Sequence, residues 1–158
     1  MKSNLTKDQI SKLKTAKKNM KEFFVKLGKF MSEIQKEIKK YIKDKDLKDK
    51  VLFLYDKIVI DYYKLKDDIK AVESGNKSFL KASQDPDSYI IVNYDQALQI
   101  FSGYYTRMKS INDNLLALQK NVNDYLAGAL SKEELMTGTR KKYKDIEQFL
   151  NKCGYKKI

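Results

Sequence analysis

The fold of this chain is decided by residues 10–41, ISKLKTAKKNMKEFFVKLGKFMSEIQKEIKKY. Apolar side chains recur there at alternating steps of three and four residues, interrupted by Lys17. This period places them on one face of a helix, and Phe23 and Phe30 widen that face toward a second neighbour. The two registers are Ile10, Lys17, Phe24, Met31 and Ile38, and Leu13, Met20, Leu27, Ile34 and Tyr41.

The same criteria predict three further helices. Thr6 with Gln9, and Ser131 with Glu134, have capping-box spacing at the starts of the first and last helices. Asp46 is the expected N-cap of the second helix. The predicted helices span about 7–43, 47–73, 87–127 and 132–153, with a connector over 74–86. The third helix has a seam shift near Ser110, where the alternation of steps is broken.

Four amphipathic helices with short connections predict one all-α domain over residues 1–158, an elongated antiparallel up-down-up-down four-helix bundle. A short extra helix or loop is expected between helices 2 and 3. The alternative is an extended helical hairpin that dimerises, so both a monomer and a homodimer fit the pattern. Phe53 and Ile60 lie off the seam of helix 2, which predicts that residues 77–92 or another chain cover them.

The positive charge of this protein lies mainly in its first and last segments. The net charge is +12 overall, with +9 in residues 1–50, −1 in residues 51–130 and +4 in residues 131–158. In the predicted topology helices 1 and 4 are neighbours, so their lysines would form one basic face that attracts acidic partners. The predicted partner-binding residues are Lys12, Lys18, Lys36, Lys39, Lys40, Lys43, Arg140, Lys141 and Lys144.

Three other interpretations of this charge stay open. A lysine-rich solvated surface can reflect composition alone, without any partner. Sequence-independent nucleic-acid binding suits lysines, but the chain has only two arginines, the residues that best contact phosphates and base edges. Peripheral contact with an anionic membrane is the third, because Phe23, Phe24 and Phe30 could insert beside the lysines of helix 1.

The composition argues against catalysis and against a metal or cofactor site. The chain has no histidine, which removes most general-base and metal arrangements, and one cysteine. Cys153 is expected to be a packed, unreactive thiol at a helix C-terminus, where the helix dipole raises a thiol pKa. Asp61 and Asp68 are spaced by seven and share one helix face, but are more typical of a surface than of a catalytic pair.

The sequence therefore predicts a non-enzymatic interaction protein that docks on an acidic macromolecule, first of all a protein. A nucleic-acid-binding protein, and a secreted or surface helical bundle of a pathogen that binds a host protein, are the alternatives. Cytoplasmic location is the default expectation, and secretion or surface exposure would apply if a leader had been removed.

Overall fold

The computed structural model describes residues 6–74 and 94–152. They contain no strand, and their helices pack against one another as an all-α bundle, which confirms the predicted fold class. Numbered in chain order, the helices of the described residues are α1, Lys7–Tyr41; α2, Lys45–Ile58; α3, Ile60–Ser74; α4, Tyr94–Leu126; and α5, Lys132–Lys152.

Helix α1 begins as its sequence predicts. The Gln9 N–H donates to the Thr6 Oγ1 (3.1 Å), and the Thr6 N–H donates to the Gln9 Oε1 (3.0 Å), so two backbone donors of the first turn are satisfied. The centre of the seam is fully buried at Leu13, Met20, Leu27 and Ile34.

At two positions of α1, the burial of the side chain can be compared with its place in the heptad pattern. Lys17, the polar residue of the seam, is only 7% exposed and is not without an interaction partner. Tyr41 was predicted to continue the seam but is 49% exposed. The reason is that α1 ends there, and the following Ile42 is completely buried instead.

The predicted second helix is two helices, α2 and α3, broken at Val59. Val59 has φ −90° and ψ 0°, outside the helical range, and its side chain is buried. The break falls within three consecutive β-branched residues, Ile58 to Ile60, which lose side-chain freedom in a helix. It brings Val59 into the core, whereas Phe53 stays 65% exposed.

The start of α2 corrects the predicted N-cap. The Leu47 N–H donates to the Asp44 Oδ1 at 3.0 Å, so Asp44 caps the helix and Asp46 lies in its first turn. The helix consequently begins two residues earlier than predicted. Acidic residues are favourable in both positions, which is why sequence spacing alone did not separate them.

Helices α4 and α5 follow the predicted pattern closely. The buried stripe of α4 passes from Met108 directly to Ile111, which confirms the seam shift. The helix ends in a Schellman motif: Gly128 has φ +83°, the Gly128 N–H donates to the Tyr125 carbonyl (3.1 Å), and the Ala129 N–H donates to the Asp124 carbonyl (2.8 Å). The capping box of α5 is formed between Ser131 and Glu134.

The chain divides into two compact units. Unit 1 comprises Met1–Leu27 and Asp61–Ser110, and unit 2 comprises Gly28–Ile60 and Ile111–Ile158. Several sequence predictions fall outside the described residues: the extra helix or loop between helices 2 and 3, the start of helix 3 near residue 87, the environment of Cys153, and cover of Phe53 and Ile60 by residues 77–92.

Candidate functional site

In unit 2, helices α2 and α5 lie side by side and run in the same direction. The Lys132 Nζ contacts the Asp44 Oδ2 at 2.7 Å where both helices begin. Further along, the rings of Phe53 and Tyr143 lie with centroids 6.3 Å apart. Because both contacts advance along the two helices together, the helices are parallel, and a groove follows their common axis.

An ion pair between Asp44 and Lys132 lies at the start of the groove. The pKa of Asp44 is lowered, chiefly because its carboxylate accepts from the Leu47 N–H, and further because it accepts from Lys132. The pKa of Lys132 is raised, chiefly by its hydrogen bond to Asp44. A single carboxylate therefore caps α2 and ties it to the first residue of α5.

The groove contains an open cavity of about 300 Å³ between the two helices. Its lining residues are Lys50, Phe53, Thr139, Arg140, Tyr143 and Lys144. Thr139 is buried, whereas Phe53 is one of the most exposed large apolar side chains of the described chain. An exposed aromatic ring in a concave site is the kind of feature that anchors a binding partner.

Three cations surround these rings without acidic partners. Lys50, Arg140 and Lys144 are exposed, and none of them forms an ion pair within the described residues. A fourth cation, Lys57, lies over the face of Tyr143, with its Nζ 5.3 Å from the ring centroid. The groove is thus both apolar and positively charged, and its charge is available to a ligand.

The structure brings together some of the predicted partner-binding residues and separates others. Arg140 and Lys144 line the groove, and Lys141 is exposed beside them without lining it. Also in unit 2, Lys36, Lys39, Lys40 and Lys43 are exposed at the C-terminal end of α1 and just beyond it. A basic face that joins α1 to α5 stays a prediction, because the described packing of α5 is against α2.

The two remaining predicted residues belong to unit 1. Lys12 and Lys18 are both exposed on α1. Lys12 forms an ion pair with Asp8 at 3.2 Å, and this hydrogen-bonded contact raises the pKa of Lys12. Since a carboxylate already neutralises Lys12, it offers less to an acidic partner than the unpaired cations of the groove.

Four lining residues of the groove were not among the predicted partner-binding residues: Lys50, Phe53, Thr139 and Tyr143. The signal for Phe53 was present, because it lies off the seam of its helix, but it was interpreted as a residue that needs cover. Lys50 precedes Phe53 by three residues, just as Arg140 precedes Tyr143 by three. This repeated spacing, a cation followed by an aromatic residue three positions later, is the signal in the sequence that could have linked α2 to α5.

Unit 1 contains a contrasting charged cluster around Arg107. Its Nε–H and an Nη2–H donate to the two carboxylate oxygens of Asp61, at 2.9 and 2.7 Å, and an Nη1–H donates to the Asp68 Oδ2 at 3.2 Å. Lys64 reaches the other oxygen of Asp68 at 3.2 Å. The two aspartates noted for their spacing of seven therefore hold an arginine between α3 and α4, which is a structural role.

A second cavity, of about 550 Å³, lies in unit 1 between α1 and α4. Met20, Phe23 and Phe101 supply apolar walls, and its charged lining residues are one acid, Glu22, and one base, Lys26. It is larger than the groove of unit 2 but has no net charge. Its composition does not indicate one class of ligand.

The described residues contain neither a metal-binding cluster nor a helix that could span a membrane. Residues 6–74 and 94–152 contain no group of three or more histidine, cysteine, aspartate or glutamate side chains placed to hold a metal ion. None of the helices in these ranges is long and apolar enough to cross a membrane. No family model, curated protein or solved structure matches the chain.

Proposed function

We propose that this chain is a non-enzymatic protein-binding module whose α2–α5 groove receives an acidic segment of a partner protein. The observation that supports this is the set of three cations, Lys50, Arg140 and Lys144, that surround exposed aromatic rings without ion-pair partners in the described chain. Carboxylates of a partner would supply the missing charges, and one apolar side chain would fill the cavity beside Phe53.

The groove suits a peptide side chain better than a nucleic-acid base. Single-stranded nucleic acid binds aromatic residues by stacking flat bases on open ring faces. Here the rings of Phe53 and Tyr143 are tilted by 55° to each other, and Lys57 lies over one face of Tyr143. An apolar side chain of irregular shape can fill the space between two tilted rings, whereas a flat base could not be sandwiched between them.

A binding titration with defined probes tests the proposal. The first probe is a flexible, fluorescently labelled peptide of Asp, Glu, Gly and Ser with a single Phe. The second is the same peptide with Ser in place of Phe, and the third is a single-stranded oligonucleotide of thymidine only. We expect the Phe peptide to bind tightest at low salt and to weaken as salt is added, because the attraction is partly electrostatic.

Adjacent residues of α5 provide a matched pair of variants. Arg140→Glu and Lys141→Glu change charge equally on the same helix, but only Arg140 lines the groove. We expect Arg140→Glu to weaken the Phe peptide at least about 10-fold and Lys141→Glu to weaken it far less. Equal losses would move the site away from the groove and toward a diffuse basic surface.

The predicted face of α1 and α5 is tested by the same assay. A variant with Lys36, Lys39, Lys40 and Lys141 all changed to Glu leaves every lining residue of the groove in place. We expect it to retain most of the affinity that is measured at moderate salt. Complete loss in this variant, with a normal helical spectrum, would favour the broad basic face, and preference for the oligonucleotide would favour nucleic-acid binding.

A further inference from the structure

We infer that the segment bound in the α2–α5 groove is an amphipathic helix with an acidic residue, an apolar residue and a second acidic residue at positions i, i+3 and i+7. This inference rests on the proposed function, and it adds the conformation and the sequence pattern of the partner. It follows from the order in which charges and rings occur along the groove.

The two walls of the groove present the same pattern at the same level. On α2, Lys50 is followed by Phe53 after three residues, and on α5, Arg140 is followed by Tyr143 after three. Because the helices are parallel and the two rings contact each other, the two cations also lie at a common level. The groove therefore has a cationic level followed by an aromatic level, about 4.5 Å further along the helix axis at 1.5 Å per residue.

Cations occur again beyond the rings. Lys57 follows Phe53 by four residues and lies over Tyr143, and Lys144 directly follows Tyr143. Along α2 the sequence of features is cation, ring, cation at Lys50, Phe53 and Lys57, which are positions i, i+3 and i+7 of one helix face. Both ends of the aromatic level can thus receive a carboxylate.

A helix matches these levels and an extended strand does not. Side chains at i, i+3 and i+7 of a bound helix have the same axial spacing as those of α2, so two carboxylates and one apolar group meet their counterparts together. In an extended strand, side chains on one face repeat about every 6.6–7 Å, which exceeds the separation of the cationic and aromatic levels. An amphipathic helix in an apolar groove is also a common mode of peptide recognition.

Three capped peptides of equal composition test the inference on the full chain. The first has Glu, Phe and Glu at i, i+3 and i+7 in an alanine- and glutamine-rich helix. The second moves the two Glu residues to the face opposite Phe. The third keeps the first sequence but has D-amino acids at two central positions, which disrupt the helix without changing charge or composition.

We expect the first peptide to bind about 10-fold tighter than either of the others, and its far-ultraviolet circular dichroism to become more helical on binding. Arg140→Glu should remove this preference, and Lys141→Glu should leave it. Equal affinity of the first and third peptides would overturn the helical conformation, and equal affinity of the first and second would overturn the facial pattern.

The proposed function can fail or survive separately from this inference. If the flexible acidic Phe peptide binds in an Arg140-dependent manner but the helical peptide does not, the groove binds acidic segments and the helical inference is wrong. If no acidic peptide binds at low salt, flexible or helical, both are wrong.

Discussion

The two arginines of this chain lie in opposite environments. Arg107, in unit 1, donates to two aspartates, and its side chain is 31% exposed, with Asp61 at 14% and Asp68 at 28%. Arg140, in unit 2, is exposed at the edge of an apolar groove, with Lys50 and Lys144 among the other lining residues and no ion pair in the described chain. The same side chain is neutralised in one place and left uncompensated in the other.

This difference separates a cation that stabilises the fold from a cation that is available to a ligand. A partly buried arginine that satisfies two carboxylates stabilises the packing of the helices that supply them. Cations grouped without acids repel one another, which slightly lowers the stability of the fold. We therefore expect stability measurements to respond at Arg107 and binding measurements to respond at Arg140.

The largest expected effect on stability is that of Arg107→Ala. Removal of the guanidinium leaves Asp61 and Asp68 close together and partly desolvated, so the free energy of unfolding should fall by about 2 kcal/mol. Arg140→Ala should change it by less than about 0.5 kcal/mol. Urea denaturation followed by circular dichroism measures both, and equal losses in the two variants would contradict the assignment of separate roles.

A smaller effect is expected when only the shape of the cation is changed. Arg107→Lys keeps the charge but loses the two parallel hydrogen bonds to Asp61, and should lower the free energy of unfolding by about 1 kcal/mol. Arg140→Lys should leave stability unchanged, since no fork geometry is used there. If Arg107→Lys were as stable as the original chain, charge alone and not bidentate bonding would account for the cluster.

The contrast between these arginines could not be predicted from the sequence, although most of the fold could. Heptad periodicity predicted that Leu13 and Met20 lie in the core, because burial on a helix depends on local spacing, and Lys17, which interrupts the seam, is buried as well. The partners of Arg107 lie 46 and 39 residues away on another helix, so no local pattern indicates them.

The break between α2 and α3 and the α2–α5 groove also could not be predicted from local sequence patterns. The pattern predicted one continuous second helix, whereas the packing of several helices into one core decides that the helix breaks at Val59 and that this side chain is buried. The packing of several helices into one core also determines which helix lies beside α5. Consequently Arg140 and Lys144 were recognised as candidate residues, but Lys50 and Phe53 were not joined to them.

Lys132 is intermediate between Arg107, which has two acidic partners, and Arg140, which has none in the described chain, because it forms one ion pair, with Asp44. The contribution of this pair to stability depends on pH. The lowered pKa of Asp44 means that its carboxylate stabilises the fold above the unfolded pKa, and that this contribution is lost as the pH falls through the folded value. The raised pKa of Lys132 means that its contribution is present at neutral pH and is lost in strong alkali.

Asp44→Asn separates the two parts of this contact, because asparagine still caps α2 but cannot pair with Lys132. We expect a melting temperature at most a few degrees below that of the original chain near pH 7, and a difference that shrinks as the pH falls through the lowered folded pKa of Asp44. Asp44→Ala should lower it further at pH 7, because the cap is also lost. A difference that did not shrink as the pH was lowered into strong acid would show that the ion pair is not its cause.

The smallest effect concerns the repulsion within the groove itself. Arg140 and Lys144 are four residues apart on one helix face, and like charges at this spacing destabilise a helix by about 0.2–0.5 kcal/mol. Arg140→Gln removes the repulsion with little change in helix propensity, so it should slightly raise the melting temperature at low salt. Lys141→Gln is the control, since Asp145 four residues on and Lys144 three residues on act on Lys141 in opposite directions.

Salt should abolish the gain of Arg140→Gln, because the Debye length falls from about 30 Å at 0.01 M to about 3 Å at 1 M ionic strength. Scanning calorimetry across that range measures this. A variant that is more stable but binds acidic peptide less well would show that the chain keeps Arg140 at the expense of stability, as expected for a residue retained for binding. A variant less stable at low salt would instead show that Arg140 has a stabilising partner, and the contrast with Arg107 would be lost.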